Sequence, residues 1–131
     1  MPITIVVEEE CYQAHVSQTH GNAQWTVYRI ANDNRIVVES QKPRSVSLED
    51  TIGKAADSIN ASVKTLWYEL IHSMPDHDGR YAVFDYVKLQ KDGTWTSASS
   101  FVFWLPEEAS PETKSIYTAG KDTLKTALDI S

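Results

Sequence analysis

Three adjacent residues, Asp76, His77 and Asp78, carry side chains that can bind a divalent metal ion. Carboxylates and imidazoles are common metal ligands, but neighbouring residues in a short turn seldom direct their side chains to one centre. The flanking Pro75 and Gly79 are typical of a turn. We therefore interpret this segment as a turn and expect no metal site in it.

The other residues with catalytic potential are scattered. His15 and His20 are five residues apart and do not share a helical face, and His72 is predicted to be partly exposed on a helix. Cys11 lacks the sequence signature of an activated thiol, so we expect it to pack in the core. The segment "AGKDT" lacks the earlier glycine of a phosphate-binding loop, because Ser115 stands there. These residues predict neither a catalytic centre nor a cofactor.

Composition and charge exclude further classes of protein. With 12 basic and 18 acidic residues the 131-residue chain has a net charge of −6, which argues against a nucleic-acid binder that must neutralise phosphates. "MPITIVV" has no basic region before it and "EEE" follows at once, so it does not resemble a secretory signal. No stretch approaches the roughly 20 apolar residues of a membrane span. We expect one cytoplasmic domain over residues 1–131, monomeric and without stable membrane insertion.

Spacing of apolar residues predicts the elements that position any site. Helical spacing predicts helices over residues 8–18 and from about Ser62 to Pro75. Strands are predicted over residues 24–30, 35–40, 80–89 and 99–105, paired as two hairpins. The apolar run "FVFWL" indicates a strand covered on both faces. The pattern predicts an α+β, or mixed α/β layered, domain with a mainly antiparallel sheet of four or five strands between helices; periodicity does not place a fifth strand.

The last helix, "SPETKSIYTAGKDTLKTAL" (110–128), has two different faces. Ser110 is a good N-cap and Pro111 suits the first helical position. One stripe is predicted to be buried and comprises Tyr117, Gly120, Leu124, Ala127 and Leu128. The opposite face carries small, nearly uncharged residues, flanked by Lys114 and Lys125: Ser115, Thr118, Ala119, Asp122 and Thr126. Small side chains permit close approach of another surface, so we interpret this face as a docking face; the alternative is a polar surface helix without a partner.

Three segments together carry a resemblance to a known family. "MPDHDGRYAVFD" (74–85), "FVFWLPEEASP" (101–111) and "IYTAGKD" (116–122) resemble, in order and spacing, the hallmark segments of the actin-depolymerising factor/cofilin family. The resemblance runs from about Leu66 to Leu128 and is more diffuse over residues 4–40. It implies an ADF-homology (gelsolin-like) fold without enzymatic activity. It also implies a cytoskeletal protein that binds actin monomers, preferably ADP-actin, and promotes filament depolymerisation and turnover.

The resemblance also implies roles for individual residues. In the family the helix after the "FW" strand enters between two actin subdomains beside the N-terminal residues. Carried over, the monomer site comprises Thr4, Ile5, Val6, Lys114, Ser115, Thr118, Ala119 and Asp122. The turn between the last two strands corresponds to the filament site, at Lys88, Lys91 and Asp92. Relatives are inhibited by phosphoinositides through basic patches, which here implies weak binding at Lys114, Lys121 and Lys125.

Several positions depart from the family pattern. Glu112 stands where a second basic residue is usual and Ser115 where methionine is usual, so a lower affinity for the monomer is expected. Ile3 replaces the serine that many relatives phosphorylate, which leaves Thr4 as the nearest substitute. The chain stops at "LDIS", where many relatives continue into a further strand and helix. Weak filament side binding and modest severing are therefore expected.

Two alternatives remain open. Glia maturation factor shares the family fold and acts on the branch-nucleating actin-related complex; "KDGTWTS" and "YTAGK" favour it, whereas Trp104 after "FVF" favours cofilin. An enzyme with its site in residues 41–61 is the other. That region has no histidine or cysteine, and its acidic residues are Glu49, Asp50 and Asp57.

Overall fold

The computed structural model describes residues 4–130 and is built around a five-stranded sheet. The strands are β1 (Val6–Val7), β2 (Ala23–Ile30), β3 (Arg35–Pro43), β4 (Arg80–Leu89) and β5 (Trp95–Trp104), in the order β1-β3-β2-β4-β5. β1 pairs with β3 in parallel and all other pairs are antiparallel. The helices are α1 (Glu9–Thr19), α2 (Ala56–His72) and α3 (Pro111–Ala127), with a short 3-10 helix at Leu48–Thr51. The predicted α+β fold and its two hairpins are confirmed.

Successive side chains along the strands point to opposite faces of the sheet and pack in two hydrophobic cores, one on each face. In β4, Ala82 and Phe84 pack with Leu66 and Leu70 of α2. Tyr81 and Val83 belong to the opposite core, which α1 and α3 cover with Cys11, Tyr117 and Leu124. This period-2 alternation is what a sheet buried on both faces requires. The helices therefore cover both faces, as predicted.

The strand "FVFWL" is half-buried on both of its faces. Val102 and Trp104 pack on the α2 side, whereas Phe101 and Phe103 pack on the α3 side. The predicted two-sided cover is therefore confirmed for β5. The predicted start of β5 is wrong. The strand begins at Trp95 rather than at residue 99, because the small polar residues before Phe101 pair with β4 in unbroken register.

Three further elements differ from the sequence prediction. β3 ends at Pro43 rather than at residue 40. α2 begins at Ala56 rather than near Ser62; in its first six residues only Ile59 is buried, so the apolar periodicity there is too weak to see. β1 was not predicted, because two residues show no periodicity and the strand is defined by its pairing with Arg35 and Ile36.

The face of α1 that packs on the core differs from the one that apolar spacing predicted. Tyr12 and Val16 are 38% and 53% exposed, whereas Gln18 is buried. Gln18 donates from Nε2 to the carbonyl of Val83 at 2.9 Å and accepts from the Thr26 hydroxyl at 2.7 Å. Because both ends of its amide are hydrogen-bonded, its burial carries little penalty.

Candidate functional site

The N-terminus of α3 is set by three consecutive residues. The Ser110 side chain accepts a hydrogen bond from the backbone N–H of Thr113 at 3.1 Å, and Pro111 and Glu112 occupy the first turn. A capping hydroxyl, a proline with fixed φ and an anion near the positive helix end all favour this start. The predicted beginning of the helix is confirmed.

The inner stripe of α3 is fixed to the sheet by two tyrosines. The Tyr81 hydroxyl donates to the carbonyl of Tyr117, and the Tyr117 hydroxyl accepts from the backbone N–H of Ile30 at 2.9 Å. The two ring centroids are 5.3 Å apart. Burial raises the pKa of both phenols, so both remain protonated at neutral pH. These contacts join α3 to β2 and β4 at one point.

Two glycines allow this close approach. A Cβ added at Gly120 would lie 2.6 Å from the Tyr81 hydroxyl, and one added at Gly79 would lie 2.5 Å from the Tyr117 ring. Neither distance is compatible with a side chain unless the neighbour moves. Sequence periodicity did not identify Gly79 or Tyr81, because their partners on α3 are 36 to 39 residues distant in sequence. A glycine directly before a strong strand was the one available signal.

The outer face of α3 is exposed along its length. The predicted burial pattern is confirmed: Tyr117, Gly120, Leu124 and Leu128 are buried and Ala127 is half-buried. The residues of the opposite face are all exposed, namely Ser115, Thr118, Ala119, Asp122 and Thr126. Lys114 is half-buried at its edge. The face presents one carboxylate among small side chains, and it leaves room for a second surface to approach the helix backbone.

The N-terminal strand lies beside this helix. A Cβ at Gly120 would also lie 3.4 Å from Cδ1 of Ile5, which is half-buried and packs on the core. Thr4 is exposed and Val6 is 50% exposed. A shallow groove between β1, α1 and α3 is lined by residues that include Ile5 and Asp122. The structure thus brings the two parts of the predicted monomer site together. Ile3 lies outside the described residues.

The predicted lysine cluster lies on the β5 side of α3. Lys121 Nζ lies 5.8 Å from the ring centroid of Phe103, and Lys125 Nζ lies 5.5 Å from that of Phe101. Both lysines and Lys114 are half-buried. Spacings of seven and four residues place the three on one stripe of the helix. This stripe borders the small-residue face without belonging to it.

The predicted filament site is at the other end of β5. Lys88, Lys91 and Asp92 are exposed around the β4–β5 turn, opposite to the loop that leads into α3. Asp92 accepts from the Thr94 hydroxyl at 2.6 Å and from its backbone N–H at 3.0 Å, and these bonds lower the pKa of Asp92. The turn therefore carries a carboxylate that is ionised at neutral pH beside its two cations.

Two of the residues first considered for catalysis, Asp78 and Cys11, have structural partners. Asp78 pairs with Arg80 at 2.6 Å and accepts from the backbone N–H of Gly79 at 2.9 Å. Within residues 4–130, no group of three or more His, Cys, Asp or Glu residues could hold a metal ion. The buried Cys11 thiol donates to the carbonyl of Ile36 at 3.2 Å, and burial raises its pKa to about 12. In the same part of the chain no helix is long and apolar enough to cross a bilayer.

Comparison with known proteins adds a family to this geometry. The family model described as "Cofilin/tropomyosin-type actin-binding protein" matches residues 4–131. Actophorin of Acanthamoeba castellanii is 40% identical over 55 residues, which are 42% of this chain and 39% of that protein. Actin-depolymerizing factor 9 of Arabidopsis thaliana is 33% identical over 89 residues, 68% of this chain and 57% of that protein. The chain thus spans 39% to 57% of the length of these two relatives.

The fold also matches a solved structure. The crystal structure of Plasmodium berghei actin depolymerization factor 2 superimposes with a TM-score of 0.73 at 22% identity. The match covers 96% of this chain and 80% of that one. At this identity the likeness establishes the fold.

Proposed function

Because this chain belongs to the cofilin family of actin-binding proteins, we propose that it binds actin and promotes filament turnover. The monomer contact is the outer face of α3 together with Thr4, Ile5 and Val6 of the N-terminal segment. The observation that carries this proposal is the two-sidedness of α3: its inner stripe is fixed by Tyr117 and Gly120, and its outer face is small and exposed. The protein acts as a monomer, without enzymatic activity.

Small side chains suit a helix that enters a cleft on its partner. Ser115, Thr118 and Ala119 lose little rotamer entropy when covered, and they let the two backbones approach closely. Lys114, at the edge of the face, supplies a cation that pairs with an acidic group of actin. Asp122 supplies a carboxylate about two turns beyond Lys114 along the helix.

The charges at the start of α3 support a moderate affinity for the actin monomer. Glu112 is exposed in the first turn, two residues from Lys114, so it reduces the positive potential at the edge of the face. At the β4–β5 turn the ionised Asp92 similarly reduces the field of Lys88 and Lys91. From these charges we infer a preference for monomers, with weak side binding to filaments and modest severing; the preference for ADP-actin over ATP-actin is what the resemblance to cofilin implies. Such a protein would work in the cytoplasm on the actin cytoskeleton.

The direct test is fluorescence titration of labelled ATP- and ADP-actin monomers with the full chain. We expect micromolar or tighter binding, stronger for ADP-actin, which Lys114→Ala weakens several-fold because truncating an interface anchor costs more than about 1 kcal/mol. Lys54→Ala is the matched control, since Lys54 is exposed in the loop before α2. Absence of binding at tens of micromolar would contradict the proposal and favour the branch-nucleating actin-related complex as partner.

Filament binding is tested separately by co-sedimentation at physiological salt. We expect recovery well below one protein per actin subunit. Stoichiometric recovery would show that side binding is strong and would overturn that part of the proposal.

Phosphoinositide binding through Lys114, Lys121 and Lys125 is a further part of the proposal. The three lysines share a stripe beside the actin-facing side, so an anionic lipid headgroup would compete with actin. We expect vesicles containing phosphoinositide to reduce actin binding weakly, and Lys121→Gln with Lys125→Gln to remove the reduction. Actin binding that is unchanged by the vesicles would contradict it.

A further inference from the structure

The turn between β2 and β3, residues 31–34, lies between the two parts of the proposed monomer contact. On one side of it, the backbone N–H of Val6 donates to the carbonyl of Asn34 at 3.1 Å. On the other side, the backbone N–H of Ile30 donates to the Tyr117 hydroxyl of α3 at 2.9 Å. The turn is therefore hydrogen-bonded to the N-terminal segment and, through the end of β2, to the helix.

The backbone of this turn is fixed by its own hydrogen bonds. The N–H of Ala31 donates to the carbonyl of Arg35 at 2.7 Å, and the N–H of Asn34 donates to the carbonyl of Ala31 at 3.0 Å. Asn34 has a φ of 62°, in the left-handed region that asparagine adopts more readily than most residues. The turn thus has a defined shape beside α3 before any partner binds, which lowers the entropic cost of binding there.

A shallow groove of about 840 Å³ separates the turn from the first half of α3. Asn32 and Asn34 line it on the side of the turn, and Ser115 lines it on the side of the helix. Ser115 also belongs to the outer face of α3, and Asn32 is exposed. A partner surface that touches both Ser115 and the half-exposed Val6 has to cross the turn, and it meets Asn32 on the way.

The charged side chains of the turn are paired with one another. Asp33 Oδ2 lies 2.8 Å from Arg35 Nε, and Arg35 Nη1 lies 2.8 Å from Glu8 Oε1. Such exposed pairs add little to stability, but they leave the turn with little free charge to offer a partner. The carboxamide of Asn32 can both donate and accept hydrogen bonds, so the turn suits an uncharged polar surface.

We propose that the β2–β3 turn is a third part of the contact with the actin monomer. The Asn32 carboxamide hydrogen-bonds an uncharged polar group of actin, next to the groove that Ser115 borders. This inference rests on the proposed function. It extends the monomer site implied by the resemblance, which comprises residues of the N-terminal segment and of α3. Because no charge is involved, this part of the contact is insensitive to salt, in contrast to the contact made by Lys114.

The first test is titration of labelled ADP-actin monomers with full-chain variants. Asn32→Trp places a large, uncharged side chain in the path of the partner and is expected to weaken binding at least about fivefold. Asn22→Trp is the matched control, because Asn22 is exposed just before the opposite end of β2. It is expected to bind like the parent. Both positions are exposed, so the melting temperatures should remain close to that of the parent.

A second variant separates the hydrogen bond from the steric effect. Asn32→Ala removes the carboxamide and is expected to weaken binding about threefold, the size of one neutral hydrogen bond. The factor should be the same at ~50 and ~200 mM salt, whereas the loss caused by Lys114→Ala should shrink as salt screens its charge.

Proximity is tested by photo-crosslinking. The only cysteine of the chain, Cys11, is buried, so a thiol introduced at an exposed position can be labelled selectively. Asn32→Cys, carrying a short photoreactive group on its thiol, is expected to crosslink to the actin monomer. Asn22→Cys with the same group is expected not to.

The outcomes distinguish this inference from the proposed function. If the parent does not bind actin monomers, both are overturned. If the parent binds and Lys114→Ala weakens binding, but Asn32→Trp and Asn32→Ala bind like the parent, the contact at the turn alone is overturned. Crosslinking from residue 22 as efficient as that from residue 32 would also overturn it, as would a loss in Asn32→Ala that disappears at the higher salt.

Discussion

The ring of Tyr117 occupies the space that a side chain at residue 79 would need. An added Cβ at Gly79 would lie 2.5 to 2.7 Å from three atoms of that ring. The Tyr117 hydroxyl accepts a hydrogen bond from the Ile30 N–H, and the backbone carbonyl of Tyr117 accepts one from the Tyr81 hydroxyl. The ring therefore cannot move aside without loss of hydrogen bonds, and the absence of a side chain at residue 79 sets how closely α3 lies on the sheet.

Gly79→Ala is accordingly expected to lower the free energy of unfolding by about 1–3 kcal/mol, the usual range for overpacking a filled core. Chemical denaturation followed by circular dichroism measures it. In a Tyr117→Leu background the same substitution should cost less, since the planar ring is gone. Equal costs in the two backgrounds would show that Tyr117 is not the obstacle.

Gly120→Ala is expected to destabilise the protein although alanine is the better helix former by about 1 kcal/mol. The new Cβ would lie 2.6 Å from the Tyr81 hydroxyl, so steric conflict outweighs helix propensity. In a Tyr81→Phe background the hydroxyl is absent, and Gly120→Ala should become neutral or stabilising. Thermal denaturation of the parent, the two single variants and the double variant gives the coupling energy between residues 81 and 120. A Gly120→Ala variant as stable as the parent would contradict the close contact.

His15 is expected to make stability depend on pH. Burial lowers the pKa of His15 from its usual value near 6.5, and nearby Asp85 opposes this only partly; among the described residues its Nδ1 has no hydrogen-bond partner. Because the unfolded chain takes up the proton first, stability is lost as the pH falls through 6.5 towards the lower folded-state pKa. The melting temperature should therefore fall between about pH 7 and pH 5.5, above the range in which most carboxylates titrate.

Substitution separates His15 from the other histidines. His15→Gln should flatten that pH dependence, whereas His20→Gln, at an exposed position, should leave it unchanged. If the melting temperature depends on pH equally in the parent and in His15→Gln, another group causes the pH dependence.

Ala119→Arg is expected to weaken binding to actin monomers at least about tenfold while changing the free energy of unfolding by less than about 0.5 kcal/mol. Ala119 is exposed, so the longer side chain meets solvent in the isolated protein and obstructs close approach in a complex. Ala61→Arg, an exposed alanine of α2, is the matched control. Equal affinity of the two variants for labelled monomers would remove α3 from the binding surface.

The sequence predicted those elements whose apolar residues repeat over several turns or pairs. β4 was placed at its observed bounds, and α3 at its observed start, because each combines a long periodic pattern with end signals. β1 and the first turns of α2 were missed since they depend on tertiary pairing and on a single buried residue, Ile59. The inner face of α3 followed from spacing. The fit of Gly79 against Tyr117 did not, because no local pattern encodes a contact between distant residues.

The outer side of α3 makes no hydrogen bond to the rest of the described chain through Thr118, Ala119 or Asp122, whereas its inner side is interlocked through Gly79, Tyr81, Tyr117 and Gly120. A substitution at one of these inner positions requires a compensating substitution at another, because each side chain limits the volume available to its neighbour. Substitutions on the outer side are nearly independent of one another and of folding. Partner choice can therefore diverge among descendants of this chain by single replacements, while the angle at which the helix is presented is inherited as a unit.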